Sequence, residues 1–139
     1  MTILEQSLQT IAATPSLLVA ADFDGTLSPL AATPEAARPD PAALDALCEL
    51  ANMPETWIAI VSGRALSVLK QLVAPLLEPP SRRRRVTLIG SHGLEREHAA
   101  DDSYPLTAPE RAALERLRAV CHERAAHLPG ALVEEKVYS

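Results

Sequence analysis

Three short segments of mainly apolar residues predict the strands of a sheet. Residues 17–21 are apolar throughout and lie between Pro15 and Asp22, without the polar and apolar alternation of a half-exposed strand. Such a run is typical of a strand that is buried on both faces of a parallel sheet. Residues 56–61 and 86–89 predict a second and a third strand.

Helical spacing of apolar residues fills the segments between these strands. Asp40 and Pro41 suit the N-cap and first turn of a helix that ends before Pro54. A second helix begins after Ala65, and Pro75 is expected to end or kink its last turn. Strand, helix, strand, helix, strand in this order is the signature of right-handed crossovers. The sequence therefore predicts an α/β fold with a Rossmann-like parallel sheet.

Two capping-box motifs predict helices outside this alternation. Thr2 with Glu5 opens a short first helix, and Thr107 with Glu110 opens a longer helix that ends at about residue 128. Residues 131–139 then predict the beginning of a strand.

The composition excludes several classes of partner. The 139 residues are 47% hydrophobic and 22% charged, which is typical of a globular domain with a buried core. A net charge of -5 and an aromatic content of 3% argue against nucleic acid and anionic membranes as partners. The residues before Pro15 include no Lys or Arg, so we predict no secretory signal or membrane anchor and expect a cytoplasmic protein with reduced cysteines.

Two acidic residues come directly after the first predicted strand. Asp22 and Asp24 are two positions apart, and Gly25 permits a sharp turn after them. Ligands of open parallel sheets bind beyond the carboxyl ends of the strands, where both carboxylates can face one small volume. Such a pair can share a metal ion and a substrate. The competing interpretation is an Asp-rich turn that only caps the next segment.

The second predicted strand ends in a different set of polar groups. Ser62, Gly63 and Arg64 come next, and a helix begins directly afterwards. A hydroxyl, a flexible glycine, a cation and the first amides of a helix together suit an anion such as phosphate. The alternative is that Ser62 serves only as the N-cap of that helix.

These segments together resemble the haloacid dehalogenase-like phosphatases, whose first two motifs match DFDGTL from Asp22 and VSGR from Val61. GSHGLE from Gly90 and EEK from Glu134 come in the order found in trehalose-6-phosphate phosphatases, so the resemblance covers nearly the whole chain. It implies the N-terminal half of the phosphatase core in residues 1–96. Residues 97–139 would then be a linker and the beginning of an α+β cap domain.

The resemblance also implies a reaction, which is the Mg²⁺-dependent hydrolysis of trehalose 6-phosphate through an aspartyl-phosphate. Asp22 would be the nucleophile, and Asp24 the general acid and later the general base. Mg²⁺ would bind the Asp22 carboxylate and the Asp24 backbone carbonyl, and so reduce the repulsion between carboxylate and phosphate. The phosphate and the sugar would be bound by residues of the strand ends and the cap, namely Ser62, Gly63, Arg64, His92, Glu95, Glu134 and Lys136.

Simpler interpretations of several of these residues stay open. His92 could bind only a neighbouring loop, and Glu134 with Lys136 could be an exposed salt-bridging strand. Arg82–Arg85 is interpreted as a solvated loop rather than a ligand site. The other histidines are predicted to lie at the surface, without a metal.

The sequence departs from the family beyond the beginning of the cap. The lysine that pairs with the nucleophile and the acidic GDD-type motif have no counterpart here, so the sequence resembles the first half of an enzyme. Residues 17–21 would then form an exposed edge, and the chain alone would be nearly inactive. The alternatives are another capped sugar phosphatase, or a non-catalytic remnant that associates with an intact enzyme or with trehalose-6-phosphate synthase.

Overall fold

A four-stranded sheet lies at the centre of the computed structural model, which describes residues 2–97 and 106–135. The strands lie in the order β1-β2-β3-β4. The first three are parallel, and β4 is antiparallel to β3. They span Leu17–Asp22 (β1), Thr56–Val61 (β2), Val86–Gly90 (β3) and Glu95–Arg96 (β4). The predicted α/β fold with a parallel sheet is confirmed.

Helices connect and flank the strands. Their bounds are Ile3–Ala12 (α1), Pro41–Asn52 (α2), Leu66–Leu72 (α3), Ala74–Leu77 (α4), Pro80–Arg83 (α5) and Ala108–Ala125 (α6). The Asp40 side chain caps α2 by accepting from the amide of Ala43, as predicted. Both capping boxes are present, and Pro75 lies in the short helix directly after α3.

The core lies between one face of the sheet and helices α2 to α4. Ile58 and Ile60 of β2 and Leu88 of β3 are buried, and they cluster with Leu47 of α2 and Leu69 of α3. Burial of each such side chain contributes about 1.5–3 kcal/mol to the free energy of folding. This packing fixes the directions of β1, β2 and β3, and therefore the place where their carboxyl ends meet.

The opposite face of the sheet is open in the described part of the chain. Leu18 is 63% exposed and Trp57 is 40% exposed. The prediction that residues 17–21 are buried on both faces is therefore wrong for this chain, because half-buried and exposed positions alternate along β1. The predicted edge position of β1 is confirmed, since it pairs with β2 alone among the described strands.

The arginine run is the second correction. Arg82 donates to Asn52 Oδ1 and to the Pro75 carbonyl, at 3.1 and 2.9 Å. Arg83 donates to the buried Glu97, and Arg85 donates to a backbone carbonyl. The loop assignment is therefore wrong for Arg82 and Arg83, which lie in α5 and bind neighbouring segments, whereas the predicted exposure to solvent holds for Arg83 and Arg84.

The segment after α6 is the third correction. Residues 131–135 form no strand, contrary to the prediction, and residues 136–139 lie outside the described residues. Residue Lys136 is therefore outside them as well. The boundary between residues 96 and 97 stays a prediction, since residues 98–105 are also outside the described ranges.

Within residues 2–97 and 106–135, no helix combines the length and the apolar character that crossing a membrane requires.

Candidate functional site

The carboxyl ends of the three parallel strands open into one cavity of about 310 Å³. We call it the strand-end cavity. Among the described residues, six predicted site residues line it, namely Asp22, Asp24, Gly63, Arg64, His92 and Glu134. Pro34 also lines it and was not predicted. The structure thus brings together residues that are more than one hundred positions apart in the sequence.

The turn after β1 directs both acidic side chains into the strand-end cavity. Between them, Phe23 is fully buried and anchors the turn in the core. Gly25 has a φ of +81°, which is the left-handed conformation expected of a glycine at a sharp turn. Asp22 Oδ1 accepts the amide of Phe23 at 2.7 Å. The buried ring and this hydrogen bond therefore hold the turn next to the candidate nucleophile.

Arg64 is paired with Asp24 in a fork geometry. Its Nε donates to Asp24 Oδ2 at 2.8 Å, and its Nη2 donates to Asp24 Oδ1 at 2.7 Å. The third nitrogen, Nη1, donates to the Pro34 carbonyl at 2.8 Å. The hydrogen bonds to Asp24 are the main cause of a raised pKa of Arg64, so this group remains a cation. No sequence pattern indicates this pairing, because it joins two loops 40 residues apart.

The β2 loop, residues 62–65, corrects the predicted anion site. Ser62 is buried, and its Oγ accepts the amide of Arg64 at 3.1 Å. It is not the N-cap of α3, since Ala65 occupies that position. The first amide of the helix, at Leu66, donates to Glu95 Oε2 at 2.9 Å and is therefore already engaged. From this loop, Gly63 and Arg64 line the strand-end cavity, whereas Ser62 does not.

The β3 loop, residues 91–94, places His92 against the β2 loop. The His92 amide donates to the Ser62 carbonyl at 3.2 Å. A Cβ atom on Gly63 would lie 2.4 Å from Cε1 of His92, so only glycine fits beside this ring. His92 therefore contacts a neighbouring loop, which was the simpler of the two interpretations. It also lines the strand-end cavity, as a role in the site requires.

Glu95 and Glu134 are both predicted for the same site, and the structure separates them. Glu134 lines the strand-end cavity, and its charge contributes to the raised pKa of Arg64. Glu95 is not among the lining residues, and its carboxylate binds Leu66 and Ser91 instead.

The charges around the strand-end cavity favour a cation. Among the residues that the structure describes, three carboxylates line it, from Asp22, Asp24 and Glu134, against one guanidinium, that of Arg64. Carboxylate oxygens are the ligands that Mg²⁺ prefers, and it commonly takes one or two of them beside water and substrate phosphate. Among the described residues, no group of three or more His, Cys, Asp or Glu could enclose a metal ion.

Two backbone hydrogen bonds close the turn after Asp24. Residues 24 and 28 form an isolated bridge, in which the Ser28 amide donates to the Phe23 carbonyl at 2.9 Å. The Gly25 amide donates to the Ser28 carbonyl at 2.8 Å. The Asp24 carbonyl takes no part in this bridge.

The trehalose-phosphatase family model matches residues 20–139. A trehalose-phosphate phosphatase of Mycobacterium leprae is 34% identical over 144 residues, covering 96% of this chain and 30% of that protein. A bifunctional trehalose-6-phosphate synthase/phosphatase of Thermoproteus tenax is 30% identical over 119 residues, covering 86% of this chain and 15% of that protein.

Among solved structures, the C-terminal domain of the C. albicans trehalose-6-phosphate phosphatase has the same fold. Its TM-score is 0.70 at 22% identity, and the match covers 98% of this chain and 45% of that one. This chain therefore spans less than half the length of each of these three proteins. On the match of its residues 20–139, it belongs to the trehalose-phosphatase family.

Proposed function

We propose that this chain forms the nucleophile-bearing part of a Mg²⁺-dependent phosphatase that hydrolyses trehalose 6-phosphate. The observation that carries the proposal is the convergence of Asp22 and Asp24 with Gly63, His92 and Glu134 on one cavity at the strand ends. The names of the two similar phosphatases support the choice of substrate.

In the first proposed step, the carboxylate of Asp22 attacks phosphorus and the bond from phosphorus to the sugar oxygen breaks. Asp24 donates its proton to that oxygen, and an aspartyl-phosphate forms at Asp22. In the second step, Asp24 takes a proton from water, and this water attacks phosphorus to release phosphate and regenerate Asp22. When bound, Mg²⁺ would be held by the Asp22 carboxylate and the Asp24 carbonyl, and would neutralise charge on the phosphate.

The fork from Arg64 sets a condition on the first step. Both oxygens of Asp24 accept hydrogen bonds from Arg64. Because hydrogen bonds to a charged acceptor are about twice as strong as neutral ones, a proton on Asp24 weakens this fork. We infer that Arg64 releases one oxygen of Asp24 when substrate binds. The released N–H can then donate to a phosphate oxygen, because guanidinium and phosphate have matching geometry.

The proposal is tested by assaying the complete gene product with Mg²⁺ on a panel of sugar phosphates. Trehalose 6-phosphate should be hydrolysed with the highest kcat/KM, and Asp22→Asn should abolish turnover. The 139-residue chain, assayed in parallel, should be nearly inactive because it supplies only part of the cation site. A higher kcat/KM for another sugar phosphate would contradict the proposal that trehalose 6-phosphate is the substrate. Full activity of Asp22→Asn would contradict the proposed mechanism.

We also propose that the complete protein associates with a trehalose-6-phosphate synthase, because the Thermoproteus tenax relative is named as both synthase and phosphatase. Co-purification of the two activities from the source cells would support this, and their complete separation at low salt would contradict it.

A further inference from the structure

We propose that Glu95 is a positioning residue, which fixes the β2 loop and the β3 loop against each other and so places Arg64 and His92 in the strand-end cavity. The catalytic part of this inference depends on the proposed phosphatase function. The structural part does not.

One carboxylate oxygen joins the two loops. Glu95 Oε2 accepts the amide of Leu66, the first residue of α3, at 2.9 Å. The same oxygen accepts the hydroxyl of Ser91, the first residue of the β3 loop, at 2.5 Å. Hydrogen bonds to an ionised acceptor are shorter and about twice as strong as neutral ones. Ser91 is 2% exposed, so water has little access to this contact.

Backbone hydrogen bonds extend the same junction. The Ser91 amide donates to the Arg64 carbonyl at 2.7 Å, and the His92 amide donates to the Ser62 carbonyl at 3.2 Å. The two loops are thus in contact along their main chains.

The β3 loop has a conformation that needs such support. Ser91 and His92 have φ values of +48° and +56°, in the left-handed region that residues other than glycine rarely adopt. A residue in this conformation is strained and persists only where its surroundings hold it. The bond from the Ser91 hydroxyl to Glu95 is such a support, since it holds the first of the two strained residues.

Glu95 thus places Arg64 and His92, which line the strand-end cavity, although Glu95 itself does not line it. Loss of the Glu95 carboxylate frees Ser91 and the start of α3, which are adjacent to His92 and near Arg64. Displacing catalytic groups by about 1 Å can reduce a rate by on the order of 10²-fold.

The test compares Glu95→Gln with Glu95→Ala in the complete gene product. The side-chain oxygen of glutamine can accept both hydrogen bonds, so Glu95→Gln should keep kcat within about tenfold of the unmodified protein. Glu95→Ala should lower kcat by on the order of 10²-fold, with a smaller effect on KM. Glu49→Ala, which removes an exposed carboxylate of α2, is the matched control and should have no effect. A glutamine variant as inactive as the alanine variant, in which the imidazole NMR signals of His92 keep their positions, would overturn the positioning role, since the charge itself would then be required.

A second measurement needs no enzymatic activity. The imidazole NMR signals of His92, assigned with His92→Asn, should shift in Glu95→Ala and remain in place in Glu95→Gln. Ser91→Ala, which removes one of the two bonds, should give a smaller shift in the same direction. Unchanged His92 signals in folded Glu95→Ala would overturn the inference, whatever the protein hydrolyses. Absence of phosphatase activity in the unmodified protein would refute only the proposed function.

Discussion

At the scale of single residues, the strand-end cavity depends on contacts between loops that extend from different strands. Arg64 forks onto Asp24, and His92 packs on Gly63 at a distance that leaves no room for a methyl group. Without such contacts, the side chains of Asp22 and Asp24 could adopt many positions at the end of β1. The contacts with loops from β2 and β3 restrict these positions.

Gly63→Ala should therefore displace the His92 ring. Because the His92 side chain is exposed, its displacement should change the melting temperature little. The kcat/KM for the phosphate ester should nevertheless fall by on the order of 10²-fold, because the imidazole leaves its position in the cavity. In a His92→Ala background the same substitution should have almost no further effect. Fully additive losses in this double-mutant cycle would contradict the contact.

Sequence patterns identify most of these residues but not their interactions. Asp22, Asp24 and Gly63 lie in short motifs at strand ends, so their common location is a consequence of the topology of a parallel sheet. The contacts of Glu95 could not be predicted, because Leu66 is 29 positions away and its amide is matched only after the loops have folded. From the motif alone, Glu95 is consequently predicted to bind substrate.

At the scale of secondary-structure elements, the buried carboxylate of Glu97 holds the segment between β2 and β4 through two partly exposed cations. The Glu97 side chain is 2% exposed, and its Oε1 accepts from Arg83 at 2.8 Å with Lys70 at 3.5 Å. Its Oε2 has no hydrogen-bond partner among the described residues. Arg83 belongs to α5, so this carboxylate connects α5 and α3 to the end of β4.

Arg83→Ala should lower the free energy of unfolding by about 1–2 kcal/mol, because it leaves a buried carboxylate with fewer donors. The expected loss of stability is smaller than for a fully buried ion pair, because Arg83 itself is 49% exposed. Arg84→Ala is the matched control, as Arg84 is exposed and adjacent, and it should change stability little. Equal effects of both substitutions in urea denaturation would contradict a specific role of the pair.

Helix α6 should respond to acid through its capping box. Hydrogen bonds from the Thr107 hydroxyl and amide lower the pKa of Glu110 below its ordinary value. A lowered pKa in the folded state stabilises the helix above the ordinary pKa, and this contribution is lost as the pH falls through the lowered one. Helicity measured by circular dichroism should therefore decrease in that acidic range, and less so in Glu110→Gln. An identical acid response of both proteins would contradict the coupling.

The elements themselves are predicted unevenly, for physical reasons. Strands β1 to β3 and helix α2 have clear apolar patterns, and their predicted bounds agree with the structure within one or two residues. Helix α3 begins within one residue of the predicted position but ends earlier, at Leu72, and its N-cap Ala65 makes no side-chain capping bond. Helix α5 and strand β4 are short and polar, with no periodicity to indicate them. They are held by Glu97 and by the pairing of β4 with β3, which are tertiary contacts.

At the scale of the whole molecule, the described residues cover only one face of the sheet and leave β1 at its edge. An edge strand with exposed apolar side chains is a template for pairing with another chain. Helix α1 has no buried residue and covers none of this surface tightly.

Leu18→Lys should therefore reduce self-association of the 139-residue chain, since a charge on the exposed face of β1 opposes pairing at this edge. Leu30→Lys is the control, because Leu30 is 83% exposed but lies outside the sheet. Sedimentation velocity at rising concentration should show a lower mean mass for Leu18→Lys than for Leu30→Lys. Equal masses would show that β1 is not the associating surface.

Asp22 is the residue on which the proposed function of the whole molecule depends most directly, as its nucleophile. The complete gene product is mixed with trehalose 6-phosphate labelled in the phosphoryl group, quenched in acid during turnover, digested and analysed by mass spectrometry. We predict a phosphorylated peptide with the label on Asp22, and no label on any peptide of the Asp22→Asn variant. Label on another residue, or undiminished turnover by Asp22→Asn without any labelled peptide, would contradict the nucleophilic role of Asp22.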